Sequence, residues 1–184
     1  MGDVTIQLAK AAIAVALGMD SSFDLEQALR SYPELKNNGA AFVTLTTGSN
    51  DQLRGCIGSL SAYRPLYEDI IANAKSAALG DPRFNPVTLD EMKGIKVEVS
   101  ILTEPKVLHY DSIEDLKTKI KPQIDGVVLE HNGYRATYLP QVWEQLPHFD
   151  EFFASLCTKA GLAQNCLEEH PDIKTYQDVK YKEK

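Results

Sequence analysis

Within residues 53–60, LRGCIGSL, a cysteine stands between two glycines with an arginine two positions upstream. A thiol does its chemistry as the thiolate, and a neighbouring cation such as Arg54, or amides bared by a glycine-flanked turn, favours that form. Arg54 and Cys56 are two apart, so on a regular strand they share a face, and a face carrying arginine is deep core only when the charge is paired. On that reading Cys56 is a candidate nucleophile in a cleft. The opposing reading is packing: Gly55 and Gly58 allow close backbone approach, and Cys56 fills a small hole as a buried free cysteine. The residues alone leave both open.

Asp81 and Arg83 follow in a proline-bounded turn, DPRFNPV at residues 81–87. Arg83 could present a planar fork to an anion, and Arg54 and Arg83 together would suit a small anionic ligand if they converge. The plain alternative is that Asp81 starts the turn and Arg83 pairs locally. Further on, Gln141 in YLPQVW offers an amide to a crevice, with Trp143 as a wall or a core anchor. Arg54, Asp81, Arg83 and Gln141 are therefore the candidate substrate-binding residues beside Cys56. Lys159, in the last turn before Gly161, reads as a cation offsetting helix-terminal carbonyls.

Other chemistries lack their signatures. The four histidines, His109, His131, His148 and His170, have neither HxxxH nor HExxH spacing, so no metal site is expected from sequence and only one assembled in three dimensions stays open. There is no P-loop, dinucleotide GxGxxG or GxSxG elbow, and no cofactor is expected. A net charge of -7 from 19 basic and 26 acidic residues argues against a phosphate-tracking surface, hence against nucleic acid. The most apolar early run, residues 11–17, is too short to span a bilayer and lacks a basic n-region, so neither membrane insertion nor export is expected. Three cysteines without CxxC or framework spacing fit reduced thiols in a cytoplasmic protein.

These residues need elements to hold them. Residues 4–17 read as a helix closed by Gly18, and residues 40–58 as a hairpin turning at GSND with Cys56 on its second strand. A helix follows from Pro65, with Leu66, Ile70, Ala74 and Ala77 on one face, until Gly80 and Pro82 stop it. Thr88 and Glu91 have capping-box spacing, and Ile95, Val97, Val99 and Ile101 alternate as a strand with one wet face. Ser112, with Asp115, caps a short helix; Asn132-Gly133 turns a second hairpin; and Asp150 caps a helix presenting Phe152, Phe153 and Leu156 to the core. The lysine-bearing tail reads as a solvated end, with a short edge strand near residues 174–181. The sum is one α+β unit of mainly antiparallel sheet from hairpins covered by helices, with a possible small second lobe of unplaced boundary.

LRGCIGSL, DPRFNPV with VEVSIL at 97–102, and ATYLPQVW at 136–143 with LCTKAGL at 156–162 together resemble the AMMECR domain family, in order, over residues 42–162. The resemblance implies an α+β fold with a larger and a smaller lobe, and a crevice as active or binding site. It implies no particular reaction. Because such domains are commonly encoded beside Memo-type and radical SAM proteins, it implies those as partners. Tyr138 departs from the pattern, standing where many relatives carry Phe before LPQV, and its hydroxyl needs a partner or solvent. Two functions follow as expectations. One is an enzyme or enzyme component with a Cys/Arg-lined cleft; the other is a non-catalytic adaptor docking a protein through the same surface.

Overall fold

The computed structural model describes residues 1–183. In chain order the elements are α1 (Gly2–Ala16), α2 (Leu25–Ser31), a 3-10 turn (Pro33–Lys36), β1 (Asn38–Thr47), β2 (Gln52–Gly58), β3 (Arg64–Pro65), α3 (Leu66–Leu79), α4 (Leu89–Met92) and β4 (Ile95–Leu102). There follow β5 (Lys106–Val107), α5 (Ile113–Lys119), β6 (Gly126–His131), β7 (Tyr134–Tyr138), a 3-10 turn (Pro140–Glu144), α6 (Phe149–Lys159), a 3-10 turn (Cys166–Glu169), β8 (Asp172–Tyr176) and β9 (Asp178–Lys182). The class is α+β.

The chain divides into two compact units. The first takes Met1–Leu102 and the residues from Val179 onward; the second takes Thr103–Asp178. In the first, the sheet runs β2-β1-β4-β9, with the short β3 also on β1. Period-two burial explains its inner face: Ala41, Val43 and Leu45 of β1 and Ile95, Val97 and Val99 of β4 are buried. Leu8, Ala9 and Ile13 of α1 and Ile70, Ala74 and Ala77 of α3 belong to the same core. The alanines of α3 let backbones meet. A Cβ on Gly55 would lie 2.2 Å from the Ala77 carbonyl oxygen, so only glycine fits where β2 meets α3. The expected capping box is present, Thr88 accepting from the Glu91 N–H while Glu91 accepts from the Thr88 N–H. α2, capped by Asp24, was not foreseen.

The second unit is an antiparallel sheet, β5-β8-β6-β7. Its β6–β7 hairpin turns at Asn132 (φ 50°) and Gly133 (φ 84°), as the dipeptide demands. Trp143 is a core anchor rather than a crevice wall: it stacks on Phe152 at 3.6 Å, and its Nε1 donates to the Asp125 carbonyl at 2.9 Å. Several sequence expectations need correction. α6 starts at Phe149 with His148 at the cap position, so Asp150 lies inside its first turn and does not cap it. Ser112 caps α5, but the Asp115 carboxylate accepts from the Asp111 N–H instead of closing a box on Ser112. The tail is built into both sheets, β8 lying between β5 and β6, and β9 beside β4. Two of its lysines are paired as well, Lys174 with Glu130 and Lys182 with Asp51.

The expectation of three reduced thiols also fails. Cys157 and Cys166 form a disulfide, with Cα atoms 5.9 Å apart and a sequence separation of 9. Gly161 (φ 85°) ends α6 and lets the chain reverse, which returns Cys166 to the helix it left. Cys56 is the free cysteine.

Candidate functional site around Cys56

The hairpin register decides which way Cys56 faces. Near the turn, Thr47 pairs with Gln52 and Thr46 with Leu53. Extended without interruption, that register sets Cys56 opposite Val43, whose side chain is fully buried. Instead the ladder slips by one residue at Arg54, so that Gly55 pairs with Leu45 and Cys56 with Thr44. Directly opposed residues share a face. The bulge therefore gives the core position to Gly55 and turns Cys56 to the opposite face, in a row with Thr44 and, one strand on, Glu98. The thiol is half-buried, and its Sγ shares a hydrogen bond with Thr44 Oγ1 at 3.3 Å. The strict alternation that would place Arg54 and Cys56 on one face does not run through a bulge residue.

The outer edge of β2 at Cys56 is closed by the turn after α3. The Cys56 N–H donates to Asp81 Oδ2 at 2.9 Å, and the Cys56 carbonyl accepts from Arg83 Nη2 at 3.2 Å. Arg83 is in turn held to both oxygens of Asp81, Nε to Oδ1 at 3.0 Å and Nη2 to Oδ2 at 2.7 Å. Together the two side chains do what a neighbouring strand would do. Asp81 is only 4% exposed. The Arg83 guanidinium holds its carboxyl well below the usual carboxylate range, outweighing the upward push of burial.

Arg54 reaches α4, making a fork to Glu91 with Nε to Oε1 at 2.9 Å and Nη2 to Oε2 at 3.2 Å. Glu91 is held at about 2 instead of 4.5, first by Arg54 and then by the Thr88 N–H. The remaining Arg54 nitrogen, Nη1, is buried without a hydrogen-bond partner, which holds for no other side-chain nitrogen or oxygen among the described residues. Both guanidinium carbons stand over the Phe84 ring, Arg54 at 5.9 Å and Arg83 at 5.5 Å from its centroid. Four of the five residues expected from sequence thus come together in the first unit. Gln141 lies, exposed, on the 3-10 turn Pro140–Glu144 of the second.

Three participants escaped sequence reading: Thr44, Glu91 and Phe84. Thr44 was hidden by the bulge, and Glu91 was credited only with its capping box. Phe84 sits inside the DPRFNPV stretch, where an aromatic beside an arginine was a usable signal. A hollow of about 1200 Å3 in the first unit, among α1, α2 and α4, is lined by none of the four assembled residues.

A family model described as AMMECR1 matches residues 6–181. The chain belongs to the AMMECR1 family. The match extends well beyond the motif-bearing segment, taking in α1 and the last two strands. Protein MJ0810 of Methanocaldococcus jannaschii is 44% identical over 140 residues, covering 73% of this chain and 68% of its own. A protein of Saccharolobus islandicus is 35% identical over 195 residues, covering 100% of this chain and 82% of its own. The crystal structure of an uncharacterized protein, PH0010 from Pyrococcus horikoshii, superposes with a TM-score of 0.79 at 34% identity, covering 100% of this chain and 91% of that one. No helix among the described residues is long and apolar enough to cross a membrane.

Proposed function

We propose that this AMMECR1-family protein is a cytoplasmic enzyme or enzyme component whose reactive group is the Cys56 thiol, working with Memo-type and radical SAM partners. The observation that carries the reading is the bulge at Arg54, which turns Cys56 away from the core while Asp81 and Arg83 hold its backbone N–H and carbonyl on the outer edge of β2. The inward position at this point of β2 is held by Gly55, where no side chain fits, so Cys56 does not serve as the core residue there. Thr44 then positions the sulfur, and the buried, unpaired Arg54 nitrogen marks a charged group held without full satisfaction, as sites that act on other molecules hold them. Because both arginines already carry carboxylates, their first contribution is to position, and an anionic substrate group would have to displace Glu91 or Asp81 to claim a full fork.

One observation favours the adaptor reading. Leu53, Leu60 and Tyr63, in and just after the cysteine motif, are 44%, 42% and 65% exposed, an apolar offering suited to protein contact. The test is a reconstituted assay with the Memo-type and radical SAM proteins, comparing Cys56→Ser with Leu60→Ser/Tyr63→Ser. Loss of turnover in the first variant with partner binding intact supports the thiol reading. Wild-type turnover in Cys56→Ser, with binding lost in the second variant, replaces it with the adaptor.

A further inference from the structure

The second unit holds a shallow depression with several polar groups on its lining, independent of the Cys56 geometry. It is an open hollow of about 560 Å3 between Tyr138, the last residue of β7, and the outer stripe of α6. Glu151, Ala154, Ser155 and Thr158 follow the i, i+3, i+4, i+7 pattern that lines one helix face, and the small side chains at its centre leave the hollow open. Gln164 closes the far side. The Cys157–Cys166 bridge ties the loop bearing Gln164 back to α6, so this wall is fixed.

The lining holds unused donors at one end and an unused acceptor at the other. Tyr138 and Ser155 share one hydrogen bond at 2.8 Å between their hydroxyls. Whichever donates, the other keeps a proton to give. The tyrosine hydroxyl that departs from the family pattern thus has its partner. Lys159 Nζ stands 4.6 Å from the centroid of the Tyr138 ring and donates once, to the Thr137 carbonyl at 2.9 Å, leaving two of its three N–H groups. Thr158 is occupied with the Ala154 carbonyl. Glu151 lies eight residues before Lys159, about 12 Å along the helix axis.

We infer that this depression binds a short zwitterion, between an amino acid and a dipeptide in size, its carboxylate at Lys159 and the Tyr138–Ser155 hydroxyl pair and its ammonium at Glu151. Two extended residues span about 7 Å, and the flexible Lys and Glu side chains close the remainder. Opposite charges at the two ends discriminate against simple anions, which meet Glu151 without a countercharge.

The test is titration of the intact protein with glycylglycine and with N-acetylglycine, followed by backbone and side-chain chemical shifts. The expected result is saturable glycylglycine shifts confined to Tyr138, Glu151, Ser155, Lys159 and Gln164. Lys159→Met should weaken binding by about tenfold. Glu151→Gln, on an exposed position that leaves the fold alone, should bring glycylglycine down to the weaker affinity of N-acetylglycine. Shifts that fail to saturate or saturate elsewhere, equal affinity for the two probes in the unsubstituted protein, or unchanged affinity in Glu151→Gln would each overturn the inference.

Discussion

Asp81 carries more of the site than its place in a turn suggests. Its two oxygens serve the Cys56 N–H, the Arg83 N–H and the Arg83 guanidinium, all from a buried position. Asp81→Ala strands these donors and should lower stability by about 2–4 kcal/mol. Arg83→Ala removes a side chain that is 53% exposed but leaves the buried Asp81 carboxylate with only its two backbone N–H donors, so a smaller loss of about 1–2 kcal/mol is expected. Denaturant titration that ranks them the other way would contradict this assignment. A second contrast concerns the glycines. Gly55→Ala drives a Cβ into the fixed Ala77 backbone, whereas in Gly58→Ala the Cβ meets the half-buried Phe42 side chain at Cγ, which is cleared only by moving the whole ring to another rotamer. The first should cost about 3 kcal/mol and the second distinctly less. At this scale the sequence was largely legible, since residue types and the i, i+2 spacing already joined Asp81 to Arg83. It said nothing of their use, because the Cys56 backbone that they hold is 25 residues away in the chain.

Elements carry the part that sequence could not show. The GSND turn and alternating residues announce the β1–β2 hairpin, but the slip at Arg54 depends on how closely α3 approaches Gly55, a contact between distant segments. One residue of slip exchanges core for outer face, and with it the two readings of Cys56. The Arg54–Glu91 fork ties the bulge to α4 and gives this coupling a pH signature. Glu91 is depressed to about 2 from 4.5, so its contribution to stability is complete above about 4.5 and declines as pH falls toward 2. Urea midpoints measured across that interval should fall less steeply in Glu91→Gln than in the unsubstituted protein. Parallel curves would mean that the fork contributes nothing.

Over the whole molecule, α+β class and antiparallel hairpins follow from periodicity and turn residues. The division into two units does not, because the first unit is completed only when the chain returns at Val179 to add β9 beside β4. Local pattern showed a strand in the tail but could not name its neighbours. The disulfide was equally invisible, for a nine-residue spacing becomes a bridge only when Gly161 reverses the chain. Closing so short a loop is worth about 2–3 kcal/mol in the chain-entropy account. Cys157→Ala/Cys166→Ala should therefore lower the thermal midpoint of the second unit, with hydrogen exchange in β1, β2 and α3 unchanged. An effect spread evenly over both units would contradict a bridge that acts within the second unit.

The bridge also simplifies the decisive experiment, because Cys56 is the free thiol of the native chain. The measurement is its alkylation in the folded protein, quantified by intact-mass spectrometry for the unsubstituted chain and for Arg83→Ala. A display site predicts one modification per chain without denaturant, at a rate that changes when the Arg83 clamp is cut. Modification only after unfolding would return Cys56 to the core and remove the basis for a thiol-centred function.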